Sequence, residues 1–279
     1  MTRVRQGLLC ARIDHEEATM SALMPSIFFG HCNPMIALQR NSYSLRWAAI
    51  AASLPRPKAI LCISAHWYIG DAAVTISTVP RTIHDFGGFP PELYRVQYPA
   101  AGDPALAARV QSLLAPIQVR RDESWGLDHG TWSVLCHAYP EADIPVVQLS
   151  IDATQPADFH YEIGRCLAPL RDEGILIIGS GNLVHNLQAY AWGDDHAEPY
   201  DWAVTFERRV RELLSADDTA PLLDYRHQLG KEALLAIPTP DHYLPLLYVI
   251  GARTSADTLT FPVEGVDGGS ISMLAVQVG

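Results

Sequence analysis

The stretch AILCISAH, residues 59 to 66, decides how the chain is read. Apolar and β-branched residues follow one another without alternation and stop at a serine, an alanine and a histidine. Such a run is a strand covered on both faces, because a half-exposed strand alternates apolar with polar positions. SIFFGH, residues 26 to 31, ends on His31 in the same manner, and GILIIGSGNLVHN, residues 174 to 186, passes from strand through a glycine-rich turn to His185. Further β-rich runs lie at Val74–Ser77, Val146–Leu149 and Ile271–Val276. Helical stretches fall between them at Ser44–Ser53, Pro104–Leu114, Ala157–Leu170, Trp202–Leu214 and Leu244–Ile250; Asp103 is placed to cap the second. Strands alternating with helices predict an α/β single domain with a mostly parallel central sheet flanked by helices.

The chain has 279 residues, 48% of them hydrophobic and 18% charged, enough to bury one large interior. Residues 1–23 show no periodicity and read as an N-terminal extension, expected to be poorly ordered, before a domain over 24–279. A formal net charge of −11 argues against nucleic acid, which needs clustered Lys and Arg. No apolar run approaches the roughly 18 residues of a membrane span, and residues 1–23 are charged where a signal peptide needs its apolar centre, so a cytoplasmic location is expected. Cys10, Cys32, Cys62, Cys136 and Cys166 are odd in number and form no C-x-x-C pair, which suggests neither a disulfide framework nor a thiolate cluster. Two segments, Thr78–Pro99 and Trp192–Pro199, are long enough to be functional loops.

Histidine placement carries the chemistry. In a parallel sheet His31, His66 and His185 all reach the carboxyl edge of the strands, where open α/β sheets bind ligands. His242 precedes an apolar helix, and His129 lies in a glycine-flanked turn. Neutral imidazole ligates Zn, Fe, Cu and Ni, and a site assembled from loops draws its ligands from distant parts of a chain. A hydrogen-bonded loop histidine explains each residue singly; three at equivalent positions make a metal site an equal reading. Cys32 is a candidate soft ligand only with a bent backbone beside His31. His15, His137, His160, His196 and His227 are placed on surfaces, helix faces or the extension.

GHCNPM, SAHW, IHDFGGFP, WGLDHGTW, GNLVHNL, PTPDHYLPLLYV and the closing SISML occur in order from about Met24 to Gly279. Together they resemble the class III extradiol ring-cleavage dioxygenases, in the DOPA 4,5-dioxygenase-like branch related to the protocatechuate 4,5-dioxygenase catalytic subunit. The resemblance implies a mononuclear Fe(II) enzyme that opens a catechol ring beside its diol with O2, with Zn(II) as a substitute ion in purified protein. It implies His31 and His66 as metal ligands, His185 or His242 as the third, and His185 also as a catalytic acid/base. His129 is implied in proton transfer, with Asp128 either orienting its imidazole or serving the turn. His84 and Asp85 are implied at the rim of the substrate pocket, and Arg81 and Arg95 are candidate carboxylate anchors. The family has glycine where this chain has Cys32, so either the backbone there needs no positive φ or the cysteine is strained. The partners expected are a small catechol and O2, with no nucleic acid and no membrane; nothing indicates the oligomeric state. A zinc hydrolase on the same histidines and a non-catalytic binding protein on this scaffold are the rival readings.

Overall fold

The computed structural model describes residues 23–194 and 196–279. The expected extension, with His15, lies outside the described residues except at Leu23. The strands are β1 (Ser26–Gly30), β2 (Ala59–Ile69), β3 (Ala72–Thr75), β4 (Val119–Asp122), β5 (Val146–Asp152), β6 (Ile175–Gly181), β7 (Leu259–Val263), β8 (Val266–Asp267), β9 (Ile271–Ser272) and β10 (Ala275–Val278). The helices are α1 (Ser42–Ser53), α2 (Pro104–Leu114), α3 (His129–Ala138), α4 (Ala157–Leu167), α5 (Pro169–Asp172), α6 (Asp201–Ser215), α7 (Ala220–Leu223), α8 (Tyr225–Gln228), α9 (Gly230–Ala236) and α10 (Leu244–Gly251).

One sheet of eight strands runs in the order β4-β3-β5-β2-β6-β1-β10-β7, and β8 and β9 form a separate ribbon. Its centre, β5-β2-β6-β1, is parallel. The edges are mixed: β3 is antiparallel to β5, and β10 is antiparallel to both β1 and β7. Alternate residues of each central strand serve two separate cores. Leu61, Ile63 and Ile177 pack with α2, α4, α6 and α10, whereas Ile60, Cys62 and Ile178 pack with Trp47 of α1 and Trp132 of α3. Double coverage is why the runs Ile60–Ile63 and Ile175–Ile178 are apolar at every position. Among the described residues, no helix is long and apolar enough to cross a membrane.

Several boundaries differ from the sequence reading, each for a physical reason. The strand expected to end before His66 continues to Ile69, with its register against β5 shifting between Ile63 and Tyr68. The single strand expected over Ile271–Val276 is two pieces in different sheets. The helix expected over Ala157–Leu170 divides at Pro169, which has no amide hydrogen to continue the ladder and instead starts α5. The turn expected at His129 is the first residue of α3, capped by the Asp128 carboxylate accepting from the Thr131 amide.

His160, expected on a helix face or surface, is fully buried, with its Nδ1 2.8 Å from the Tyr248 hydroxyl. Burial pushes its pKa down to about 4. The unfolded chain binds a proton near 6.5 that the folded chain refuses, so this group's contribution is complete above that pH and lost as pH falls toward 4. The loss amounts to about 3 kcal/mol. Urea titrations from pH 7 to 4 should therefore show a shallower decline for His160→Gln than for the parent. Parallel curves would refute the assignment, since every other histidine is common to both proteins.

Candidate metal centre

Three strands of the parallel centre bring the histidines together. His31 follows β1, and its amide donates to the Gly181 carbonyl at the end of β6. His66 sits in β2 where the register shifts, which turns it from the strand ladder toward the site. His242 precedes α10, and its carbonyl accepts from the Asn182 amide at 2.9 Å. A Cβ at Gly181 would collide with that carbonyl, so the glycines taken as a turn are the end of a strand kept bare for the approach of residue 242.

The ring centroids of His31, His66 and His242 lie 5.2, 5.1 and 5.2 Å apart, a nearly equilateral triangle. Imidazoles bound at about 2.1 Å to one ion have centroids roughly 5 Å apart. Each ring's outer nitrogen is held. His31 Nδ1 is 2.9 Å from Ser180 Oγ, whose own hydrogen goes to the Gly130 carbonyl. His242 Nδ1 is 2.8 Å from Asn182 Oδ1, while the Asn182 amide group donates to the carbonyls of His31 and Ser272. His66 Nδ1 is 3.3 Å from Asp85 Oδ2. Ser180 Oγ and Asn182 Oδ1 accept, so the His31 and His242 rings carry the hydrogen on Nδ1 and leave Nε2 as the acceptor.

Burial first, and then the neighbouring imidazoles, hold His31 and His66 well below the usual histidine range, and the same causes act on His242. The rings are therefore neutral. Yet His31 Nε2 and His66 Nε2 face each other at 3.1 Å. A proton on one Nε2 or a cation between the two satisfies nitrogens at that separation, and a divalent cation with nitrogen ligands fits the donor set.

His129 and His185 flank this triangle. The His129 ring is 3.8 Å from that of His66, and His31, His66 and His129 offer nitrogens all within 4.8 Å of one another. Its Nδ1 donates to Asp85 Oδ2 at 2.9 Å, and its amide donates to Asp85 Oδ1 at 2.9 Å. Burial raises the Asp85 carboxyl, but the hydrogen bond from His129 and the fields of His129 and His66 more than offset it and hold the pKa at about 2. His185 stacks on His242 with centroids 3.5 Å apart and planes within 5°, and among the described residues nothing hydrogen-bonds to its ring. Burial lowers its pKa to about 4.

A cavity of about 380 Å³ opens over the five rings, walled by Phe89, Leu187, Tyr190, Trp192 and Ile271. That volume suits a single-ring ligand. Asp85 is not at the rim but behind His129, tying it to His66. The carboxylate that meets the His129 ring is that of Asp85, not that of Asp128. Asp128 is fully buried and accepts from Ser64 Oγ and Gln148 Nε2 while capping α3, and it lines no cavity. His84 is turned away, with its Nε2 3.0 Å from the Val96 carbonyl. Neither Arg81 nor Arg95 reaches the cavity, and Arg95 pairs with Glu92. Cys32 lines it without positive φ, since among the described residues the non-glycine ones with positive φ are Ala142 and Asp217. Burial raises its thiol well above the usual range, and its Sγ donates to the Asn33 carbonyl at 3.6 Å. Sequence reasoning passed over Ser180 and Asn182, although Asn182 stands in GNLVHNL.

Replacing Asp85 by asparagine keeps the shape and removes the charge that fixes two rings. Activity is expected to fall about 10- to 100-fold, the usual cost of losing an outer partner of a metal ligand. Elemental analysis alongside steady-state kinetics checks this, and full activity at full metal content would show the carboxylate to be idle.

A doubly covered sheet with a neutral imidazole cluster at its carboxyl edge defines a metal-dependent α/β enzyme. The chain belongs to the family described as the catalytic LigB subunit of aromatic ring-opening dioxygenase, which it matches over residues 33–265. It is 51% identical over 263 residues to the 4,5-DOPA dioxygenase extradiol of Escherichia coli (strain K12), covering 93% of this chain and 96% of the relative. It is 38% identical over 254 residues to the 4,5-DOPA dioxygenase extradiol of Beta vulgaris, covering 88% and 93%. The crystal structure of an uncharacterized Escherichia coli K12 protein superposes with a TM-score of 0.81 at 47% identity, covering 92% of this chain and 100% of that one.

Proposed function

We propose that the protein opens a catechol ring beside its diol with O2, at an ion held by His31, His66 and His242, with His185 and His129 moving protons. The equilateral triangle of neutral imidazoles carries this reading. Family membership disfavours the hydrolase and the binding scaffold. When bound, Fe(II) would supply a redox-active centre able to exchange electrons with both the catechol and O2, whereas Zn(II) has no such couple.

The chain's own residues supply the rest. Phe89 and Ile271 present apolar surface to the flat ring and exclude water, and the diol edge meets the imidazoles. His185 is neutral at pH 7 and has a free ring nitrogen in the cavity, so it accepts a proton from a catechol hydroxyl and can return it to an oxygen of the opening ring. His129 is fixed by the Asp85 carboxylate, which accepts from its Nδ1 and orients the ring beside the reacting edge. Three neutral ligands bring no negative charge of their own to the ion, which favours binding the catechol as an anion.

Anaerobic loading with Fe(II), followed by air and a panel of catechols, should give oxygen uptake together with a yellow ring-opened product. Iron-loaded protein that consumes no O2 with any member, while zinc-loaded protein hydrolyses an ester or amide, would overturn the proposal.

A further inference from the structure

Residues 84–89 bring two side chains to the site, yet little backbone structure holds them there. Asp85 contacts the His129 and His66 rings, and Phe89 walls the cavity. No backbone group of residues 84–89 hydrogen-bonds to the backbone of another described residue. A Cβ on Gly87 or Gly88 would meet nothing within 4 Å, so the turn is not pressed inward from outside. Backbone without a ladder opens at low cost, and its side chains decide where it lies.

His84 is the side chain placed to do this. Its Nε2 is 3.0 Å from the Val96 carbonyl; a ring nitrogen facing a carbonyl oxygen carries the hydrogen, so His84 donates and closes the segment on itself across 12 positions. The ring sits in an aromatic nest, with centroids 5.7 Å from Phe86, 6.0 Å from Tyr94 and 5.7 Å from Trp132. Trp132 donates from Nε1 to the Ile83 carbonyl at 2.8 Å, and on α3 it follows His129 by one helical turn. One face of α3 therefore grips Ile83 and Asp85 together, with His84 between them. Phe86 packs edge-on against His129 and Phe89, at 5.5 and 5.3 Å.

We propose that His84 is a positioning residue: its ring clamps residues 84–96 so that the Asp85 carboxylate stays against His129 and His66. His84 itself does not line the cavity. The inference rests on the metal-centre reading above and extends it to a residue outside the site. Asp85 Oδ2 is 2.9 Å from His129 Nδ1 but 3.3 Å from His66 Nδ1, so a drift of the segment breaks the longer contact first. Loosening His84 should therefore weaken ion binding through His66 as well as slow turnover through His129.

The test is a double-mutant cycle on the full chain with two readouts: Fe(II) dissociation without O2, by chelator competition, and kcat/KM for the catechol turned over fastest. His84→Leu keeps apolar bulk and loses the donor, whereas His84→Gln keeps an N–H at the reach of Nε2. His84→Leu should lower kcat/KM about tenfold and weaken Fe(II) binding about threefold, less than loss of the Asp85 charge because it acts one step further out. His84→Gln should stay within about threefold of the parent in kcat/KM and bind Fe(II) as the parent does. In an Asp85→Asn background, His84→Leu should cost less than about twofold. Parent-like values for His84→Leu overturn the proposal, as does an equal loss in both backgrounds, which would place the effect outside Asp85. A His84→Gln protein as impaired as His84→Leu overturns it too, since the donor would then be irrelevant. Should the leucine variant misfold, His84→Asn, whose shorter amide does not reach Val96, replaces it in the cycle. Absence of turnover with every catechol fails the ring-cleavage reading and leaves the iron readout to decide this one; additive losses in an active enzyme fail only this inference.

Discussion

His242→Ala is expected to yield folded protein that no longer holds its ion. The imidazole closes a triangle with His31 and His66 at centroid separations of 5.1 and 5.2 Å, and two nitrogen donors bind a divalent cation far less tightly than three. Metal content after gel filtration should drop below about a tenth of the parent's, and kcat/KM should fall at least about 10⁴-fold, as for loss of a whole catalytic unit. The ring is buried and accounts for one acceptor of Asn182, so its removal also strands a polar group at a cost of about 1–3 kcal/mol. His242→Gln, which can keep a partner for Asn182, separates that structural cost from the metal effect. Parent-like metal content in both variants would remove His242 from the ligand set.

His185→Gln is expected to give the complementary result. His185 stacks on His242 without sharing its buried partners, so the variant should retain its metal and its melting temperature. Its kcat should nevertheless fall about 10²- to 10⁴-fold, the range for a positioned acid or base, with a smaller change in KM. The two variants together decide which histidine is the third ligand. Metal lost with residue 185 and kept without the residue 242 imidazole would exchange the two roles.

Much of this was legible in the chain. The continuous apolar runs at Ile60–Ile63 and Ile175–Ile178 announce strands covered on both faces, and both faces are covered. The histidines at strand ends converge because neighbouring parallel strands finish at one edge. What escaped was set by tertiary contact. Gly130 argues against a helix starting at His129, because glycine has poor helix propensity. It is there because a Cβ would come within 2.8 Å of the His66 ring. Asp85 looked like a loop residue on a pocket rim; its double contact with His129 is made across 44 positions and has no local sign. His160 shows the same limit, since an imidazole on a helix announces neither burial nor a tyrosine partner 88 residues away.

The interruption of β2 between Ile63 and Tyr68 has a consequence for how this sheet breathes. Pairing with β6 stops at Ser64, so residues 65–67 lie between two paired stretches of an otherwise continuous ladder. In deuterium exchange this strip should trade its amide hydrogens sooner than the flanking positions and slow when the imidazoles are occupied, turning a few peptide masses into a gauge of ion uptake.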